Sequence, residues 1–169
     1  LAASLGSGGS GAPVFATSGM AHPDALAIAP AVCANGGIVL LTAPNGTPSP
    51  VTRAASAIGV KNVSGIGGSK ALTSAAISDF DKAGIKVRRI AAGKDRYDTA
   101  AVFSAAARSN KWLQAGRSGL ASGETFDDAL FAGPALGLTR SPLLLTQSGK
   151  LPGTTAKALT AQAVGGTDV

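Results

Sequence analysis

Two patterns of apolar spacing alternate along this chain. Short aliphatic runs at Val14 to Thr17, Gly37 to Leu41, Lys61 to Ile66, Ile85 to Ile90 and Leu143 to Leu145, with another starting at Leu120, have the unbroken or period-two pattern of buried strands. Helical spacing fills the intervals: from Asp24 to Asn35, Val51 to Ile58, Ser69 to Ala83, Arg96 to about Ala107, and from Asp128 and Thr154 onward. Asp24, Ser69 and Asp95 stand where N-caps are expected, and Pro30 is expected to shorten or kink the first helix. Strands separated by helices of this length predict right-handed βαβ crossovers, hence an α/β fold with a mostly parallel sheet flanked by helices. Residues 1–13, LAASLGSGGSGAP, have neither charge nor period and read as a flexible linker or module edge.

The pattern also repeats. An offset of 104 residues superposes Ser18-Gly19 on Ser122-Gly123, Asp24-Ala25-Leu26 on Asp128-Ala129-Leu130, and Pro30 on Pro134 without a gap. The same offset brings Leu40-Leu41-Thr42 onto Leu144-Leu145-Thr146 and Pro48 onto Pro152. A spacing near 100 residues is too long for a solenoid or propeller unit, so each copy reads as a small domain. The first copy continues into a further strand and helix, which the second does not reach by Val169.

Composition narrows the partners. Fifteen Lys and Arg against nine Asp and Glu give a net charge of +6, which favours an anionic partner; six of the cations lie between Lys82 and Arg96. No aromatic-interleaved basic motif accompanies them, so nucleic acid is not expected. The apolar runs are too short to cross a bilayer, and the chain opens on Leu1 with no charged segment ahead of an apolar one; an export signal is expected to be absent or already removed. The single cysteine, Cys33, excludes an internal disulfide or a cysteine-based zinc cluster and reads as a core filler.

Three spaced motifs, RIAAGKDRYDTA (Arg89 to Ala100), SGETFDDAL (Ser122 to Leu130) and PLLLT (Pro142 to Thr146), resemble the cell wall binding repeat 2 family of Gram-positive surface proteins. The first half repeats two of them as SGMAHPDAL and IVLLT, with GIGGSKALT (Gly65 to Thr73) resembling the family's Gly-Gly element. The resemblance divides the chain into most of a first repeat, 14–88, and the opening part of a second, 89–169. It implies a toprim-like fold, usually in tandem sets of three, that holds an exported protein on anionic, teichoic-acid-like wall polysaccharide without catalysis. The location implied is extracellular, at the cell wall.

The residues themselves offer candidate contacts, each with a structural reading beside it. Asp24 and Asp128 follow strands where ligands bind open α/β sheets, and capping alone, worth about 1 kcal/mol, also accounts for them. Ser18 and Ser122 suit either phosphate or a tight turn. Arg96 and Tyr97 pair a planar cationic fork with a sugar-stacking ring, while Asp95, Asp98 and Asp128 are equally suited to hold Arg96 in a structural ion pair. Arg53 and Lys157 are equivalent cations on the helix after the Leu-Leu-Thr strand. Thr42 and Thr146 close those strands, facing ligand or capping a turn. Trp112, between the copies, is expected at their junction.

Enzyme chemistry is poorly supplied. His22 is the only histidine and Glu124 the only glutamate. H-E-x-x-H and G-x-S-x-G are both missing, and Asp79 and Asp81 are spaced to point apart on a helix. GIGGS has neither the dinucleotide nor the P-loop spacing. No catalytic residue, metal or cofactor is therefore expected. The readings that compete with wall anchoring are a structural module that packs on further repeats or on itself and, behind it, a small-molecule-binding α/β enzyme domain.

Overall fold

A computed structural model describes residues 12–20 and 22–164, so the Gly/Ser-rich 1–11 of the expected linker lie outside the described residues. The elements alternate as β1 (Val14–Ser18), α1 (His22–Asn35), β2 (Ile38–Thr42), α2 (Ser49–Ala57), β3 (Asn62–Ile66) and α3 (Ser74–Lys82), and continue as β4 (Lys86–Ala91), α4 (Arg96–Ser109), β5 (Gly119–Ser122), α5 (Asp127–Leu138), β6 (Leu143–Thr146) and α6 (Gly153–Val164). Four parallel strands form one sheet in the order β2-β1-β3-β4, and β5 pairs in parallel with β6. The α/β architecture with parallel strands flanked by helices is the one the sequence predicts.

Alternation along β1 sends Ala16 and Phe15 to opposite faces of the first sheet. Ala16 joins a core with Ala55 of α2 and Ala76 and Phe80 of α3, whereas Phe15 joins Ile28 and Ala31 of α1 and Phe103 and Ala107 of α4. A third core lies between the copies: Ala27 of α1 and Ala100 of α4 pack on Ala121, Leu143 and Leu145 of the second sheet and on Ala129 of α5.

The most extensive helix contact joins α1 to α5, the equivalent helices of the two copies. Its spacing depends on small residues. A Cβ on Gly133 would lie 2.6 Å from Ala29 Cβ, and one on Gly137 would lie 2.6 Å from Cys33 Cβ and 3.2 Å from the Pro30 carbonyl. These contacts join positions 104 apart in the same order, so the two helices run in the same direction.

Several local expectations are corrected. α1 begins at His22, which places Asp24 in its first turn instead of at the cap, and the helix continues through Pro30 to Asn35. Thr73, not Ser69, caps α3, its hydroxyl accepting from Ala76 N at 3.2 Å; Asp95 does cap α4, accepting from Asp98 N at 2.8 Å. Cys33 is exposed and not a core filler, although its Cβ lies at the close approach of α1 to Gly137.

Trp112 does pack at the junction. Its ring stands edge-on to Phe15 at 5.1 Å, and its carbonyl accepts from Asn35 Nδ2 of the first copy (3.0 Å) and an Arg140 guanidinium nitrogen of the second (3.3 Å).

Gly137→Ala inserts a methyl group where neither helix can yield without separating. The substitution is expected to cost about 1–3 kcal/mol, measured as a fall in the thermal midpoint, while Gly149→Ala in an open turn loses only what its φ of 72° demands.

Candidate functional site

Three strand ends open on one cleft. The turns after β1, β3 and β4 each leave the sheet at its carboxyl edge, where an open α/β sheet gathers its ligand-binding loops. Met20 and the start of α1 form one wall, Gly68 to Ala71 a second, and Gly93 to Arg96 a third, around about 590 Å3. A smaller pocket of about 80 Å3 adjoins it across the copy boundary, between Pro23 and Leu26 of α1 and Ser122 to Phe126. Arg96 lines both.

The turn after β3 has a conformation only glycine accepts readily. Gly67 has φ 99°, and a Cβ there would stand 2.6 Å from Asp24 Oδ2 and 2.8 Å from Ala71 Cβ. Arg89 pins the same turn from below, its guanidinium donating to the carbonyls of Gly67 and, at 2.8 Å, of Leu72. That fixes where Lys70 leaves the backbone. Lys94 is placed by the following turn, where its N–H donates to Asp98 Oδ2 at 3.1 Å and Gly93 N donates to Thr99 Oγ1.

Asp24 lies against this turn, buried beneath the cleft. Burial pushes its carboxyl above the usual aspartate range, against the opposing pull of the Arg96 guanidinium. Arg96 also donates to the carbonyl of Gly123, joining α4 to the Ser-Gly turn of the second copy. None of the aspartates expected to hold Arg96 forms an ion pair with it among the described residues: Asp95 caps α4, Asp98 takes the Lys94 N–H, and Asp128 is exposed on the first turn of α5. Instead the buried acid, Asp24, is the charge that Arg96 faces.

The other candidates separate into turns and outlying cations. Ser18 Oγ accepts from Met20 N, and Ser122 Oγ from Glu124 N and Thr125 N, so both hydroxyls fold their own turn. Thr42 Oγ1 donates to the Thr17 carbonyl, and Thr146 Oγ1 to the carbonyl of Lys150. Tyr97 is half-buried in the core between the copies; a Cβ on Gly123 would meet its ring at 2.5 Å. Arg53 and Lys157 are exposed on α2 and α6, away from the cleft, with Arg53 donating to Ser49 Oγ at 3.0 Å. The structure thus brings Asp24 and Arg96 together at the cleft, with Ser122 beside Arg96 in the adjoining pocket, and leaves Arg53 and Lys157 apart. Lys70 and Lys94 were not singled out beforehand, although each follows a glycine turn that ends a strand, and that position is the signal.

Residues 89–169 match the model of the family described as Cell wall binding domain 2. No curated protein matches the chain. Among solved structures, Cwp6 from Clostridium difficile superposes with a TM-score of 0.80 at 21% identity, covering 95% of this chain and 26% of that one. Cwp8 from Clostridium difficile gives 0.67 at 20% identity, over 86% and 24%. The chain therefore spans about a quarter of the length of either protein, and at these identities the likeness carries the fold alone.

Asp24 gives the site a pH signature. A carboxyl whose folded pKa is raised retains its proton in the native state at pH values where the unfolded chain has lost it, so stability is greatest below the usual aspartate value of 3.8 and declines as pH rises through the folded pKa. Asp24→Asn is expected to remove that decline and raise the midpoint at pH 7 relative to pH 4, read from melting curves of both proteins across this range.

Proposed function

We propose that this chain is a non-catalytic wall-anchoring unit, holding an exported surface protein on an anionic, teichoic-acid-like polysaccharide of a Gram-positive cell wall. In this reading residues 14–88 supply most of one repeat and 89–169 the opening part of the next. The wall-binding family of the second half supports a cell-wall-associated module.

The observation that carries the polymer reading is the cleft, where Lys70, Lys94 and Arg96 converge at the carboxyl edge of the first sheet. Phosphate or carboxylate groups meet three cations there, and each contact is exposed to water and salt, so single-site affinity is modest. Retention follows from repetition along polymer and protein, which raises the effective concentration of every later contact. Asp24 lies buried behind Arg96, so its carboxyl is recessed from a polymer that meets the cations of the cleft. Arg96 donates to the Gly123 carbonyl of its own copy while facing Asp24 of the first, so the cation that meets the polymer stands at the boundary between the two copies.

A second reading, a surface protein's packing or self-association module, is supported by α5. Leu130, Phe131 and Leu138 are 51%, 77% and 89% exposed on one side of it, while the equivalent Leu26, Ala27 and Ala34 of α1 are half-buried or buried.

Co-sedimentation with purified Gram-positive wall tests the first reading. Binding is expected to disappear when the anionic polymer is stripped and to weaken as salt rises. Lys70→Gln and Lys94→Gln should each weaken it about fivefold, the equivalent of about 1 kcal/mol, with unchanged melting; retention on stripped wall would sink the polymer reading. Sedimentation equilibrium tests the second: self-association is expected to vanish in Phe131→Ser/Leu138→Ser, and a monomer at all concentrations removes self-association.

A further inference from the structure

The amino-terminal end of the first sheet carries a polar patch where an α/β sheet is ordinarily apolar. β3 and β4 are in register there, Asn62 beside Lys86 and Ser64 beside Arg88. Alternation puts these four side chains on one face of the sheet. Val63 and Val87, of the opposite parity on the same two strands, belong to the core beneath α2 and α3. Ile66, which continues the parity of Asn62 and Ser64 along β3, joins the core beneath α1 and α4, which identifies the face. Those helices therefore cover the carboxyl half of this face and leave its amino half to Asn62, Ser64, Lys86 and Arg88.

A groove of about 640 Å3 follows, with Val14 and these four residues along it and Trp112 as a wall. The Trp112 ring is half-buried and stands edge-on to the Phe15 ring at an interplanar angle of 86°. Lys86 and Arg88 project about 7 Å apart along the strand, and among the described residues neither is in an ion pair. Two cations, an amide, a hydroxyl and an indole in one groove make the combination that recognises an acidic sugar: charge for the anion, hydrogen bonds for hydroxyls, an apolar wall for the ring.

We propose that this groove is a second saccharide site, binding carboxylate- or phosphate-bearing sugar units through Lys86 and Arg88, with Asn62 and Ser64 on hydroxyls and Trp112 against the sugar face. It lies at the opposite end of the sheet from the cleft of Lys70, Lys94 and Arg96, so one module holds the polymer at two separated points. Two sites on one rigid sheet convert two weak contacts into one firm one. The inference rests on the polymer reading and extends it to another surface. Lysines on the edge strand of a sheet also discourage edge-to-edge pairing; that role alone requires no ligand.

Trp112 is the only tryptophan, so its emission reports on this groove alone. The full chain is titrated at low salt with trigalacturonate, with a glycerol phosphate oligomer and with neutral maltotriose. A saturable emission change is expected with an acidic probe and none with maltotriose, and whichever acidic probe acts identifies the anion. Lys86→Gln/Arg88→Gln should weaken that response at least about tenfold, a loss of about 1.4 kcal/mol, whereas Lys70→Gln/Lys94→Gln should leave it unchanged. Silence with both acidic probes, or an equal response in Lys86→Gln/Arg88→Gln, overturns the site and leaves edge protection as the role of these cations. The two readings fail separately. Wall binding that is lost on stripping, with Trp112 silent, removes the groove alone; a saturable Trp112 response without wall retention removes the wall reading alone.

Discussion

The close approach of α1 and α5 is the constraint on which the rest of this structure depends. Two helices come within reach of one another's backbone only if the facing positions lack bulk, and here Gly133 and Gly137 meet Ala29 and Cys33. That contact brings Ala27 and Ala100 down onto Leu143, Leu145 and Ala121, forming a core from both copies out of mostly small side chains. Burial there contributes little per residue, since an alanine removes little apolar area from water, but dispersion contacts at this spacing are dense. The second sheet has two strands among the described residues, and much of the apolar surface that shields it comes from α1 and α4.

Electrostatics follow from the same junction. Arg96 begins α4 and donates to Gly123 in its own copy while facing Asp24 of the other, an acid buried under the turn of Gly67. A buried carboxyl beside an exposed guanidinium is under two opposed influences, loss of water and the pull of a positive charge, and loss of water is the larger here. The cleft therefore presents Lys70, Lys94 and Arg96 outward with Asp24 recessed beneath them, while the exposed Asp95 on the same wall accepts from Asp98 N as the cap of α4. Arg89, only seven positions earlier, is occupied by backbone carbonyls and gives the cleft its shape instead of its charge.

Charge on the first sheet is distributed to both ends. At the carboxyl edge it stands on turns; at the amino edge it stands on β4 itself, where alternation places Lys86 and Arg88 on one face and Val87 and Arg89 on the other. A strand with this composition is tolerated because β4 is an edge strand and α4 covers only part of that face. The basic run from Lys82 to Arg96 is thus divided by secondary structure: Lys82 pairs with Asp79, Arg89 holds a turn, Lys94 and Arg96 line the cleft, and Lys86 and Arg88 face the groove.

Element types, their order and the parallel sheet were determined by the sequence alone, because strand and helix periodicity are local properties of side-chain spacing. The 104-residue offset likewise marked the equivalent turns at Ser18 and Ser122 and the equivalent strands ending at Thr42 and Thr146. Caps were only partly legible: Asp95 competes with no nearby alternative, whereas Ser69 lies in a glycine turn and yields to Thr73, whose hydroxyl reaches Ala76 N. Cys33 reads as buried because its residue type usually is, and only the tertiary structure shows it exposed. Lys70 and Lys94, far apart in the chain, become neighbours of one cleft only when β3 and β4 end at the same sheet edge. The pairing of Asn62 with Lys86 and Ser64 with Arg88 is a matter of strand register, which no local pattern specifies when both residues of a pair are polar. Local spacing determined what this chain builds; the packing of strands and of two like helices decided which of its charges stand together.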